Sequence, residues 1–396
     1  MSKKFKVGEE LDVKIEKIVP GGFGLAFAEN LTVFVGLAAP GDSLRVKIQQ
    51  LKGKTAFAEI VRIIQPSKER IEPPCVYFGV GRCGGCDFQQ LNYEAQLAAK
   101  VGIIKDCLTR IGKINYENEI KIIGSPKPFG YRARAQWHVD TKRKKIGYFR
   151  RNSHSVIDVK HCPILTDELQ DTLDELRETI DWESFSGEKL EIEAANAGGE
   201  VSVYSSEIVE PTAELAYDLN GHRYFYDANT FFQGNPFLIE QLIETATSDA
   251  KGETAFDLYC GAGLFTLPLA SKFAKVHAVE ASGKAVDYAE KAVENARLEN
   301  VELVREDVGE WLGENEQKAI DFVLLDPPRA GTEKRIVDSL LKIKPKYISY
   351  VSCEPSTLAR DLRVLCENFY TIDSITAVDL FPQTHHVETV VRLSLV

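Results

Sequence analysis

Along residues 5–64, apolar and polar positions alternate in short runs: FKVGEELDVKIEKIV, GGFGLAFAENLTVFVGLA and DSLRVKIQQLKGKTAFAEIVRII. A period of two lays one face of a strand on a core. Gly21-Gly22, Pro40-Gly41 and Lys52-Gly53 mark turns between the runs. Short, evenly spaced strands predict a small β-barrel of the OB type. Residues 66–70 read as a linker and 71–90 as a cysteine-bearing loop. Residues 92–111 carry apolar positions at helical spacing, and 130–160 read as antiparallel strands rich in Arg, Lys and aromatics. An acidic helix is predicted over 166–180 with Thr166 as its N-cap, then strands near 188–194 and 200–205. From about residue 250, the strands AFDLY, KVHAVE, VELVRED, DFVLLD, YISYVS and ITAVDLF alternate with the helical runs ASKFAK, KAVDYAEKAVENARLE, RIVDSLLKI and TLARDLRVLCE. That alternation predicts a parallel sheet with helices on both faces. The fold class is therefore α/β in three parts: a barrel over 1–66, a central α+β domain over 67–220, and a Rossmann-like domain over 221–396. The helix near 92–112 is free to pack on the third part.

The chain has 396 residues, 44% hydrophobic and 27% charged, which excludes wholesale disorder and a fibrous repeat. A net charge of −11 argues at first against a polyanionic partner. The halves reverse that inference. Residues 1–163 carry 28 basic and 16 acidic side chains, and the remainder carries 20 and 43. A basic front half beside an acidic back half points to a polyanion-binding region. The start shows no apolar leader, and no run of about 18 apolar residues occurs, so a cytoplasmic location with no membrane contact is expected. Eight cysteines are too sparse for a disulfide scaffold, and their clustering points to a metal or to catalysis.

Five segments carry chemistry. Asp257-Leu258-Tyr259-Cys260-Gly261-Ala262-Gly263 follows a predicted strand and opens a helix, and Glu280 ends the next strand. Glycines at a strand's C-terminal edge let backbone approach a ligand, and a carboxylate there accepts ribose hydroxyls. The third glycine of a dinucleotide fingerprint is missing, so S-adenosylmethionine fits better than NAD. Asp326-Pro327-Pro328-Arg329-Ala330-Gly331 places an acid at a strand end before rigid prolines, as methyltransferases acting on nucleobases often do. Cys353 precedes a helix, whose N-terminus is expected to lower the thiol pKa and suit a nucleophile. Glu388 opens the last strand as a candidate general base, while His385-His386 has no third ligand nearby and is not read as a metal site. Cys75, Cys83, Cys86 and the distant Cys162 suit zinc or, better, a [4Fe–4S] cluster.

Together these segments resemble the RNA uracil-C5 methyltransferases of the TrmA/RumA type through essentially the whole chain. The resemblance implies an RNA-binding TRAM barrel over residues 5–64 and a class I methyltransferase domain. It implies a [4Fe–4S] cluster on Cys75, Cys83, Cys86 and Cys162. Phe231-Phe232-Gln233-Gly234-Asn235 matches that family's FFQxN, so Gln233, Tyr259, Glu280 and Asp326 are implied contacts of S-adenosylmethionine. DPPRAG, YxSCxxxT and DLFPQTxHVE imply that Cys353 attacks uracil C6 and Glu388 removes the C5 proton. The usual Asn after the cysteine is Glu354 here, a negative charge expected to raise the Cys353 pKa unless it turns away or is paired. The implied partner is RNA, with 23S rRNA favoured over the T-loop uridine of tRNA, and no obligate protein partner is inferred. Lys142, Arg143, Lys144 and Lys145, with Tyr131, Trp137, Tyr148 and Phe149, form the expected RNA platform. The intact site set argues against a non-catalytic RNA-binding protein. The barrel and basic half argue against a small-molecule methyltransferase.

Overall fold

The protein is described from a computed structural model covering residues 5–182, 187, 189–207 and 212–396. Its first strands are β1 (Glu10–Lys14), β2 (Lys17–Val19), β3 (Phe23–Ala28), β4 (Leu31–Val35), β5 (Ser43–Lys52) and β6 (Thr55–Gln65). They form one sheet in the order β1-β5-β6-β4-β3-β2. The alternating residues put Leu11, Val13, Val33, Val35, Leu44, Val46 and Ile48 into a single core. Residues 66–70 are more than a linker. Arg70 pairs at 2.6 Å with fully buried Asp42, which also accepts from Ala39 N at 2.7 Å.

Helix α1 (Tyr93–Cys107) starts where Asn92 accepts from Ala95 N at 2.9 Å, which satisfies one of the unpaired N–H groups at its first turn. Strand β7 (Lys121–Ile123) then joins the large sheet described below. Strands β8 (Arg134–Asp140), β9 (Lys145–Phe149) and β10 (Val156–Asp158) are followed by α2 (Asp167–Thr179), β11 (Lys189–Ala197) and β12 (Glu200–Tyr204). The five strands form an antiparallel sheet, β10-β9-β8-β11-β12. Leu169 and Leu173 of α2 enter its core. Thr166 occupies the N-cap position of α2, but its hydroxyl makes no capping bond. Tyr131 and Trp137, expected on an RNA platform, lie in that same core at 1% and 0% exposure. Alternation along β8 explains the burial of Trp137, which shares the inward face with Val139.

A hairpin of β13 (Leu215–Leu219) and β14 (His222–Tyr226) turns on Asn220-Gly221, both at positive φ as a two-residue loop requires. After α3 (Ile239–Thr247) come β15 (Gly252–Leu258), α4 (Thr266–Ala270), β16 (Phe273–Glu280), α5 (Gly283–Asn295) and β17 (Val301–Arg305). The chain continues through α6 (Val308–Glu314), β18 (Phe322–Leu325), α7 (Lys334–Ile343), β19 (Tyr347–Ser352), α8 (Pro355–Asn368), β20 (Tyr370–Val378) and β21 (Glu388–Leu395). The sheet order is β17-β16-β15-β18-β19-β21-β20-β7. Two features differ from the sequence expectation. The run ASKFAK is not a helix, since α4 stops at Ala270 and β16 begins at Phe273. The sheet is not wholly parallel, because β21 runs antiparallel between β19 and β20. The strand order reverses between β15 and β18, the switch point where open α/β sheets leave a crevice for ligands. Helix α1 contributes Ile103, Ile104 and Cys107 to the core beneath α6, α7 and α8. Among the described residues, no helix is long and apolar enough to cross a membrane.

Candidate active site

At the switch point, the turn after β15 carries positive φ at Tyr259 (65°), Gly261 (54°) and Gly263 (87°). Left-handed backbone at a non-glycine residue is costly, and here it turns the chain tightly away from the strand end. Gly261 N and Ser282 N donate to the two Glu280 carboxylate oxygens at 3.1 and 2.7 Å, so Glu280 ties the turn to the start of α5. Asp257 is fully buried. One of its oxygens accepts from Thr266 Oγ1 at 2.5 Å, and the other has no partner among the described residues. Burial, then Glu280, pushes Asp257 up to about 7. Burial, then Asp257, pushes Asp326 up to about 7 as well. The ends of β15, β16 and β18 thus gather three carboxylates, a setting that favours a cationic ligand. Asp257 itself is not among the site residues expected from the sequence. An acid inside an otherwise apolar strand was the available signal.

The antiparallel register ends with Ser352 of β19 paired to Thr389 of β21, so Cys353 and Glu388 are the next residues beyond it, and the two interact electrostatically. Glu388 is 3% exposed and its Oε1 has no partner among the described residues. Burial and Asp326 push its carboxyl well above the usual range, against the opposing pull of Arg329. Burial, then Glu388, pushes the Cys353 thiol up to about 12, with Asp326 adding and Arg329 opposing. Cys353, Glu388, Asp326 and Arg329 therefore share one electrostatic pocket. The expectation of a lowered Cys353 pKa fails here, since burial and two carboxyl groups outweigh the helix terminus. Glu354 is turned away from that pocket. It caps α8, accepting from Ser356 N at 3.2 Å and Ser356 Oγ at 2.7 Å. Its charge is felt instead at Cys107.

Helix α8 also holds the proline loop. Asp361 accepts from Thr332 Oγ1 at 3.0 Å and Tyr350 OH at 2.8 Å. Gly331, at φ 75°, leaves no room for a Cβ against Thr357 and Arg360. Gln233 lies on a separate loop at 5% exposure, tied down by Ala133 N donating to Gly234 O at 2.8 Å and by Phe232 stacked on Tyr226 at 4.2 Å.

The loop leading into Glu388 is braced by residues that sequence reasoning missed. Lys100 pairs with Asp379, and both side chains are fully buried. Tyr93 OH donates to Asp379 at 2.8 Å, and Tyr131 OH donates to Pro382 O at 2.8 Å. Gln96 and Gln383 exchange two hydrogen bonds of 3.0 Å. Their common signal was a lysine one helical turn after a glutamine, on the face that also bears Ile103, Ile104 and Cys107. His385 Nδ1 lies 2.7 Å from Asp87, which Arg151 also contacts at 2.8 Å. Burial raises the Asp87 carboxyl, but His385 and Arg151 more than offset it, and the result is about 2. A Cβ added at Gly22 would meet the His385 Cβ at 3.0 Å, so the first sheet touches this loop directly.

Cys75, Cys83, Cys86 and Cys162 line one small pocket with Arg132, Tyr148 and Gln89. None of the eight cysteines is in a disulfide. Among the described residues, no three His, Cys, Asp or Glu side chains are arranged to hold a single metal ion.

Residues 161–396 match the family described as tRNA (Uracil-5-)-methyltransferase, and residues 4–61 match the TRAM domain. An uncharacterised RNA methyltransferase of Thermosynechococcus vestitus is 30% identical over 98% of this chain and 98% of its own. One of Thermotoga maritima is 30% identical over 96% of this chain and 98% of its own. The crystal structure of Pyrococcus abyssi tRNA (uracil-54, C5)-methyltransferase in complex with S-adenosyl-L-homocysteine superposes with a TM-score of 0.74 at 25% identity, covering 97% of this chain and 100% of that one. The mixed α/β fold and these likenesses over nearly the full length converge: the chain belongs to the tRNA (uracil-5-)-methyltransferase family and is an RNA uracil-C5 methyltransferase.

Proposed function

We propose that this enzyme forms 5-methyluridine in a folded RNA by transient covalent addition, with Cys353 as nucleophile and Glu388 as base. The observation that carries this reading is the pairing of β19 with β21, which ends just before Cys353 and just after Glu388, a buried acid whose Oε1 has no partner among the described residues. Bound S-adenosylmethionine would supply an electrophilic methyl group. Gln233, Tyr259, Glu280 and Asp326 would hold it, and the acidic strand ends suit its positive charge. Uracil C5 is a poor nucleophile. Addition of the Cys353 thiolate to C6 moves electron density onto C5, which then takes the methyl group. Glu388 removes the C5 proton, the C5–C6 double bond re-forms, and Cys353 leaves as thiolate. In the empty protein the thiol is neutral, so deprotonation must accompany ligand binding. Arg329 is the cation already in place to favour the thiolate.

With RNA carrying 5-fluorouridine the proton step is blocked, and a covalent protein–RNA adduct should persist on denaturing gels. Cys353→Ala should abolish it, and an adduct that survives would overturn the role of Cys353. Glu388→Gln should instead accumulate the methylated adduct on ordinary RNA. The target is 23S rRNA or the T-loop uridine of tRNA, and the likeness to a tRNA uracil-54 enzyme favours testing the second reading beside the first. Mass spectrometry of 5-methyluridine in separated tRNA and rRNA from a deletion strain decides between them.

The division into a barrel over 1–66, a cysteine-bearing domain over 67–220 and a methyltransferase domain over 221–396 is also a proposal, with α1 and β7 lent to the last. So is a [4Fe–4S] cluster on Cys75, Cys83, Cys86 and Cys162. Four cysteines lining one small pocket supply the donor set that such a cluster takes. Bound there, it would fix the loop that presents Asp87 to His385. Anaerobically prepared protein should contain iron and sulfide with broad visible absorption, and Cys162→Ala should lose both. Preparations with zinc and no sulfide would refute the cluster.

A further inference from the structure

Strand β14 ends at Tyr226, and the chain then enters the loop that carries Gln233. The first residue of that loop, Asp227, is only 1% exposed. Burying a carboxylate is costly unless it is paired and hydrogen-bonded. Here both oxygens are used. Oδ1 accepts from Asn229 N at 3.0 Å and closes the turn. Oδ2 accepts from Tyr288 OH at 2.9 Å and pairs with Lys284 Nζ at 2.5 Å. The backbone around it is occupied as well. Asp227 O accepts from Thr230 N and from Arg134, each at 3.2 Å. Arg134 also donates to Ala228 O at 2.8 Å, and Ala228 N donates to Ser202 Oγ at 3.0 Å. The loop is thereby fastened to β8 and β12, and its carboxylate is fastened to α5.

Lys284 and Tyr288 are one helical turn apart on α5 and share a face of it. Lys291 continues that face, pairs with Glu214 and lies 4.4 Å from the centre of the Phe225 ring. The helix opens at Ser282, whose N–H donates to Glu280 at 2.7 Å. A continuous set of contacts therefore runs from Glu280 through Ser282 and the first two turns of α5 to Asp227, and the loop leads on from there to Gln233. Glu280 and Gln233 sit on elements far apart in sequence, and both are proposed contacts of S-adenosylmethionine.

We propose that Asp227 is a positioning residue for S-adenosylmethionine, which fixes Glu280 relative to Gln233 by locking α5 to the Gln233 loop. Its carboxylate is engaged by Asn229, Tyr288 and Lys284, so it acts through the two loops and not on the ligand itself. The proposal rests on the cofactor contacts proposed above and adds what holds them in register. Desolvation offsets much of the attraction within a buried ion pair, so such a pair is a weak source of stability and a better source of one defined geometry. Loss of the lock is therefore felt in cofactor binding beyond its effect on folding.

The test uses the full chain, with calorimetry of S-adenosylhomocysteine and transfer of labelled methyl from S-adenosylmethionine to total RNA of a strain lacking the enzyme. Asp227→Asn keeps an acceptor for Asn229 N and releases Lys284, whose side chain is 43% exposed, to water, so no buried charge is stranded. It should weaken S-adenosylhomocysteine by roughly tenfold, the scale of one lost charge-assisted hydrogen bond. The KM for S-adenosylmethionine should rise by the same factor with kcat held within about twofold, the signature of lost uniform binding. Lys284→Met should behave alike, and Lys284→Arg should bind as the wild type does. Lys291→Met loosens the same helix at Glu214, and should lower the urea midpoint without changing cofactor affinity. Unchanged affinity in Asp227→Asn, a fall in kcat with no rise in KM, or affinity that merely tracks stability across the three weakened variants overturns the lock. Gln233→Ala and Glu280→Ala should also weaken binding. If both bind normally, the proposed contact set falls and the lock with it. If they bind weakly while Asp227→Asn binds normally, the lock alone falls.

Discussion

The Cys353 thiol shares its pocket with Glu388, Asp326 and Arg329, and two of those three oppose its ionisation. A resting thiol pushed up to about 12 is protected from stray oxidation and alkylation, because only the thiolate reacts. The sign is definite. Below its pKa the thiolate fraction grows tenfold per pH unit, so a raised pKa moves the whole curve to higher pH. Alkylation of Cys353 by iodoacetamide, followed residue by residue by mass spectrometry, should still be climbing at pH 10, where an ordinary thiol of pKa about 8.5 has levelled off. A plateau near pH 9 in the wild type would contradict this account.

The 379–388 loop illustrates how an element is fixed by partners far away in sequence. Its Asp379–Lys100 pair is wholly buried, and Tyr93 supplies the further bond that such a pair needs. Lys100→Met leaves Asp379 charged and unpaired, and should cost about 3–5 kcal/mol in urea unfolding. Adding Asp379→Leu removes the stranded charge and should recover much of that loss. If the double variant is no better than the single, the pair is not the brace. The same loop shows where sequence reading stops. The turn after β15, the acid ending β16 and the proline loop were legible, because each is a local pattern of strand, small residues and helix. The position of β21 was not. Period-two alternation tells a strand which face is buried and nothing about which neighbours it pairs with, yet the β19–β21 pairing is what brings Glu388 near Cys353. Lys100 was hidden for a different reason, since a lysine in a helix reads as solvated unless its partner is known.

For the whole molecule, the net charge of −11 concealed a division that the fold makes concrete. Arg132, Arg134, Arg150 and Arg151 line a groove, while the acidic helix α2 packs Leu169 and Leu173 into the neighbouring core. The aromatics in that stretch were misread because composition cannot separate the two faces of β8. The alternation that sends Trp137 inward and leaves Gln136 exposed was present in the sequence all along. One contact reaches across all three parts of the chain. Gly22 of the first sheet touches His385, which Asp87 of the cysteine loop holds three residues before Glu388. The TRAM module is therefore not a freely exchangeable cassette. A chimera that borrows this module from a relative succeeds or fails at a seam the width of one missing methyl group. A donor with any side chain at that turn must push His385 aside by a few tenths of an ångström, three residues before the proposed base Glu388.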